Sequence, residues 1–149
     1  MDEIAWLRVL HVAGAVLLLG NVTVTGAWAM LLYRRRKLVP FRSVARAILV
    51  TDLIFTVGGG TLLVVSGILL VRARGYPWLE TPWLRRGILM LVLSTLCWLG
   101  VLLPDQFRME RIDPADDPRL RRTFLRWAVV GWAATAFLYI ALWAMVTRR

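Results

Sequence analysis

The chain has 149 residues, a formal charge of +10, 59% hydrophobic residues and a mean hydropathy of +0.65. That apolar content exceeds what a soluble domain of this size carries, so residues 1–149 read as one integral membrane domain. The basic residues lie between apolar runs, as in Arg34-Arg35-Arg36-Lys37, Arg85-Arg86 and Arg121-Arg122. This pattern excludes a nucleic-acid-binding face and makes the headgroups of a lipid bilayer the expected partner.

The first apolar stretch runs from about residue 4 to 32, interrupted by Arg8 and His11. As a helix it is ~43 Å long, enough to cross a hydrocarbon core of ~30 Å. It opens on Asp2-Glu3, unlike the basic start of a cleavable signal peptide, and Trp6 and Trp28 suit its two interfaces. A second span covers about 47–71, with Asp52 near its start and Gly58-Gly59-Gly60 in its middle. Three glycines cost a helix ~2–3 kcal/mol in propensity, which predicts a kink or a close helix contact there.

The third span, about 87–103, is expected to stop at Pro104-Asp105. Residues 113–118, Asp-Pro-Ala-Asp-Asp-Pro, read as a polar turn before a basic lead-in to the fourth span, about 127–146. Short loops and even spacing predict an all-α, four-transmembrane-helix up-down bundle. The first and third loops carry more arginine and lysine than the opposite side. The positive-inside rule therefore predicts a multi-pass protein of the bacterial inner (cell) membrane with both termini outside.

One cysteine, Cys97, excludes an internal disulfide and reads as a small core residue; one histidine excludes a zinc or copper cluster of the usual kind. His11 and Asp52 are the ionisable side chains well inside the spans, where a charge costs at least ~2.5 kcal/mol and so marks a functional site. Arg8 precedes His11 on the same helical face, and Gly14 continues that face, leaving room for something flat and bulky. Met90 and Met145 are expected at a similar depth, with Arg85 and Arg86 just beyond. An axial imidazole, a thioether, an apolar pocket and arginines for the propionates are what a b-type haem requires.

Asp52 is expected in the opposite leaflet from His11, which excludes a catalytic pair. Asn21, Thr23 and Thr25 approach its depth from the first span. This set reads as an interhelical hydrogen-bond node in preference to a proton or cation relay, because no second acidic or histidine residue follows along the span.

The segments Leu7-Arg8-Val9-Leu10-His11-Val12-Ala13-Gly14 with Gly20-Asn21, then Thr51-Asp52 and Ser66-Gly67, then Gly75-Tyr76-Pro77 with Pro82-Trp83-Leu84, carry a resemblance. Through Pro104 the chain resembles a family of small bacterial predicted integral membrane proteins, domain of unknown function 2269. That resemblance implies the architecture and no activity. More distantly, Leu10-His11 with Gly20 is similar to the first helix of copper-resistance-D-like proteins, which implies copper handling. It is also similar to that of HemJ-type protoporphyrinogen oxidases, which implies haem binding at His11.

The expected function is therefore binding of haem b, or a related porphyrin, near the outer face. His11 would be the axial metal ligand and Arg8 a propionate partner, for electron transfer or haem handling with a redox partner or quinone. An enzyme here would be a haem-dependent oxidoreductase, since no nucleophile–base set is present. The rival is a small transporter or an accessory or scaffold subunit without a cofactor, in which Asp52 is the working residue. The glycine-rich second span would suit a homodimer.

Overall fold

The computed structural model describes residues 3–113 and 117–148. Helix α1 covers Glu3–Arg34. Helix α2, Phe41–Thr51, runs through a π-helical turn at Asp52–Val57 into α3, Gly58–Arg74. Helix α4, Pro82–Cys97, runs through a second π-helical turn at Trp98–Leu102 into α5, Leu103–Arg111. Helix α6 covers Asp117–Thr147. The chain is thus four rods, each long and apolar enough to cross a membrane, arranged as an all-α up-down bundle. Of the turn expected at residues 113–118, residues 114–116 lie outside the described residues, and α6 begins on Asp117 with Pro118 in its first turn.

Pro104 does not end the third rod, contrary to the sequence expectation. The helix continues to Arg111, with Pro104 in the first turn of α5. A proline inside a helix deletes one backbone hydrogen bond and crowds the carbonyl four residues earlier. Here the wider π-helical turn immediately before it takes up that mismatch. At the other end of the bundle Gly75 (φ +64°) closes α3. Its N–H reaches Arg72 O and the Tyr76 N–H reaches Val71 O, a Schellman pair that needs the left-handed conformation glycine supplies.

The two ends of the bundle are built differently. At the end where α1 leads into α2 and α5 into α6, Phe41, Val44, Ala45 and Ile48 of α2 follow the i, i+3, i+4, i+7 spacing of one helical face. They pack with Met109 and Ile112 and with Leu120, Phe124 and Trp127 of α6. Tyr33 stacks on Phe124 at 3.9 Å between centroids, and Phe41 meets both rings edge-on. The 34-residue α2–α3 rod is about 51 Å long, well beyond a ~30 Å hydrocarbon core. This end therefore reaches out of the hydrocarbon, where burying apolar side chains is favourable; between helices inside lipid it is not.

Toward the other end the rods separate into two pairs. α1 lies against α3 and α4 against α6, while α1 also touches α6. Among the described residues, no Cα of α3 comes within 8 Å of one in α4. The α1–α3 seam is held by glycine. A Cβ on Gly14 would lie 2.6 Å from Leu63 N, and one on Gly59 would lie 2.9 Å from Leu17 Cβ. Small residues that let backbones approach are how helices associate inside lipid, and the glycine run makes a close contact here. Gly58 and Gly60, in contrast, face open space.

Candidate functional site

Asp52 is 6% exposed and lies at the first residue of the π-helical turn between α2 and α3. Asn21 Nδ2 (2.8 Å) and Thr56 Oγ1 (3.1 Å) donate to its Oδ1. Gln106 Nε2 (2.6 Å) and Trp98 Nε1 (3.4 Å) donate to its Oδ2. Thr25 extends the network by donating to Asn21 Oδ1 at 3.2 Å. Four segments thus converge on one carboxylate: α1, both π-helical turns and α5. Each oxygen accepts two bonds, close to the full capacity of the group. Every donor is neutral.

The π-helical turns explain how the residues converge. Such turns insert one residue into a helix, re-aim the side chains around it, and are frequent at functional sites. Thr56, in the same turn as Asp52, reaches back to its carboxylate, and Trp98 opens the second turn. Asn21 and Thr25 were expected beside Asp52. Gln106 and Trp98 were not, because reading Pro104 as the exit of the third span placed everything after it outside the membrane.

This cluster forms the floor of a cavity of about 530 Å³ between α3 and α4. Asp52, Thr56, Trp98 and Gln106 line its base, Thr61, Val64, Val65 and Val92 line its walls, and Trp127 and Trp132 of α6 line its back. Two buried polar atoms at this site have no hydrogen-bond partner, Gln106 Oε1 and Trp127 Nε1. A buried polar atom left unpaired costs about 1–3 kcal/mol, so the base of the cavity is short of both a donor and an acceptor.

A second buried carboxylate gives the contrast. Asp105 is fully buried, one residue before Gln106. Arg126 holds both its oxygens, through Nε at 2.8 Å and through Nη2, and Arg108 adds a contact at 2.8 Å. Asp105 is neutralised; no arginine or lysine is bonded to Asp52 among the described residues. At the surface of the same end Arg36 grips Asp117, and this bond raises the guanidinium further above its ordinary range.

His11 is half-buried in the α1–α3 seam. Its Nδ1 lies 2.9 Å from Leu63 O and 3.4 Å from Ser66 Oγ, and Gly67 makes room for the ring. The space that the sequence assigned to a flat ligand beside Gly14 is filled by the backbone of α3 at Leu63 and Gly59. Arg8 is exposed, as are Arg85 and Arg86. Met145 fills the notch left by Gly87 between α6 and α4, and Met90 is half-buried on α4. Asn21, which bonds Asp52, is ten residues, about 15 Å, along α1 from His11. The two intramembrane groups therefore belong to separate places. Among the described residues no group of three or more His, Cys, Asp and Glu side chains gathers as a metal cage. Cys97 packs against the core of the basic end.

No curated protein and no solved structure matches the chain. The sequence model of a family described as "Predicted integral membrane protein (DUF2269)" matches residues 5–149, and the chain belongs to that family.

Proposed function

We propose that this is a small intramembrane ligand-binding protein, a transporter or the accessory subunit of one, with Asp52 as its working residue. The observation that carries this reading is a buried carboxylate with no cationic partner among the described residues, set at the base of a cavity beside two buried polar atoms that are unpaired, Gln106 Oε1 and Trp127 Nε1. Structural polar nodes inside membranes satisfy their members, whereas unpaired groups around a cavity mark a place for a ligand. Because α3 and α4 stand apart, the ligand enters sideways from the bilayer.

Filling the cavity tests the reading. Gly60 lines it, and a Cβ there meets nothing within 4 Å, so Gly60→Phe starts in open space and projects its ring into the cavity. Native mass spectrometry of protein taken from its host membrane into lipid nanodiscs should show a bound small molecule that Gly60→Phe removes. Identical spectra for the two proteins would overturn the proposal.

A second reading rests on His11. With Nδ1 donating to Leu63 O, the ring tautomer is fixed and Nε2 is left for iron, the usual arrangement of a ligating histidine. Haem b would then use His11 as axial ligand and Arg8 at a propionate. Protein expressed with ample haem should show a Soret band that His11→Ala abolishes; colourless protein after reconstitution rejects it. For orientation we propose an inner-membrane protein with both termini outside, on the excess of arginine and lysine around the first and third loops, over residues 34–46 and 108–126. Reporter fusions after Lys37 and Gly75 should read cytoplasmic and external respectively.

A further inference from the structure

We infer that the ligand of the Asp52 cavity is a lipophilic organic cation, held with its charge on the carboxylate and its apolar body between α3 and α4. The inference rests on the ligand-site reading above and adds the chemical class. Four observations carry it.

The first is charge. Asp52 and Asp105 are both buried at the same end of the bundle, yet among the described residues Asp105 has two arginines and Asp52 has none. Neutral donors satisfy the hydrogen-bonding capacity of a carboxylate but leave its charge uncompensated, which is costly for a side chain this deeply buried. The cavity that opens beside Asp52 is where a counter-charge can enter.

The second is the unpaired Gln106 Oε1, which belongs to a residue only 1% exposed. Its amide nitrogen is committed to Asp52, so the oxygen cannot be exchanged for it by an amide flip without losing the 2.6 Å bond. The base of the cavity thus has two acceptor groups side by side, Asp52 with its charge and Gln106 with an unbonded oxygen, against one unbonded donor, Trp127 Nε1. A positive or N–H-bearing head suits such a pair and an anion does not.

The third is aromatic. Trp98, Trp127 and Trp132 all line the cavity. Trp98 and Trp132 turn their indole N–H groups to Asp52 and Met30 Sδ, which leaves Trp127 Nε1 as the one indole N–H of the three without a bond. Tryptophan is the strongest cation–π partner among side chains, and a carboxylate beside several aromatic rings is the chemistry that recognises quaternary cations.

The fourth is depth. Asp52 is twenty residues before Arg72 in one continuous rod, ~30 Å away, which is one hydrocarbon thickness. With Arg72 and Arg74 at one interface, Asp52 falls at the other, where lipid headgroups begin. The apolar wall extends from it to Val65, ~20 Å toward the far side. An amphiphile lying in this cleft would have its head at headgroup level and its body in the hydrocarbon, as it does in the bilayer from which it comes. A cavity of about 530 Å³ is in the range that holds a drug-sized molecule.

The test uses the full chain in nanodiscs of zwitterionic lipid, with tetraphenylphosphonium as the probe and triphenylphosphine oxide as its neutral counterpart. The phosphonium should bind saturably and at least tenfold more tightly than the oxide. Asp52→Asn should weaken the phosphonium tenfold or more and leave the oxide unchanged, and Gly60→Phe should abolish phosphonium binding. If the Asn variant fails to fold, Gly60→Phe decides alone, since its Cβ stands in open space on the cavity wall. Equal affinity for both probes, or phosphonium binding that survives Gly60→Phe, overturns the inference. An endogenous molecule displaced by Gly60→Phe together with no phosphonium binding would refute the cationic class while leaving the ligand site in place. A second copy of the chain filling the cleft would show as a dimer that Gly60→Phe dissociates and would also overturn it.

Discussion

The two ends of this bundle face the same problem, four helices side by side, and solve it in opposite ways. At the basic end a stacked aromatic set and the α2 face close the bundle, and the buried carboxylate there, Asp105, is neutralised within the protein. In the hydrocarbon the helices pair as α1–α3 and α4–α6, and among the described residues no Cα of α3 lies within 8 Å of one in α4. The physical cause is the solvent. Outside the hydrocarbon, apolar residues gain by leaving water; inside it lipid is as apolar as leucine, and only close backbone contacts or hydrogen bonds hold helices together. The Asp52 site lies at the boundary between the regimes, with a closed core below it and an open cleft above.

If this division is real, large-to-small changes should separate the two ends sharply. Phe124→Ala removes a 3%-exposed ring that Tyr33, Phe41 and Trp127 all touch. It should cost ~3–5 kcal/mol and lower the melting temperature in detergent more than any other single change considered. Val65→Ala, on the cleft wall and half exposed, should change stability by under ~0.5 kcal/mol. Comparable losses at the two positions would mean that the cleft is closed in the membrane.

The helix pairs can be probed through their glycines. Gly14→Ala drives a methyl into the backbone of α3 and should cost ~1–3 kcal/mol by forcing the seam apart. Gly60→Ala meets nothing and should be neutral or stabilising by up to ~1 kcal/mol, since alanine is the better helix former. Thermal unfolding followed by circular dichroism distinguishes them, and a destabilising Gly60→Ala would place an unseen partner in the cleft.

Asp52 itself comes next. Asp52→Ala leaves Asn21, Thr56 and Gln106 without their acceptor and should cost ~1–3 kcal/mol. Asp52→Asn keeps one oxygen as an acceptor and should cost less. A carboxylate that matters only as a structural node predicts that ligand binding in the Asn variant follows its stability. A working carboxylate predicts that binding falls while most of the stability stays.

Much of this architecture is legible in the amino-acid sequence, because the bilayer makes hydropathy decisive. The four spans follow from long apolar runs that a few ionisable residues barely interrupt, and Asn21 and Thr25 were placed beside Asp52 by counting helix rise from opposite ends. What was not legible depends on the two π-helical turns. No residue pattern marks Asp52–Val57 or Trp98–Leu102 as wider than an α-helix, and without the second turn Pro104 reads as a stop. That single misreading hid Gln106, the buried partner of Asp52. The role of Gly14 was read from its size alone. A small residue makes room, but whether a ligand or a neighbouring backbone takes that room is decided by the opposite helix, here by Gly59 and Leu63.

The smallest effect is expected at the surface of the closed end, where Arg36 bonds Asp117 through two nitrogens. The pair links the first loop to the start of α6 and looks like a clasp, and its geometry is as regular as that of Arg126 with Asp105. Exposure separates them. Asp105 has no exposed surface, although Arg126 is 53% exposed, whereas the carboxylate of the other pair, Asp117, is 47% exposed, so water and salt screen its attraction to Arg36. Arg36→Ala and Asp117→Ala should each lower the melting temperature slightly in low salt, and the double variant no more than either alone. In 1 M salt, where the screening length is ~3 Å, the differences should fall into the scatter, while a loss caused by Arg126→Ala should persist because its carboxylate partner stays buried. An Arg36 effect that survives high salt would show that this loop is held by more than its charges, and that the closed end extends further out of the membrane than its apolar core.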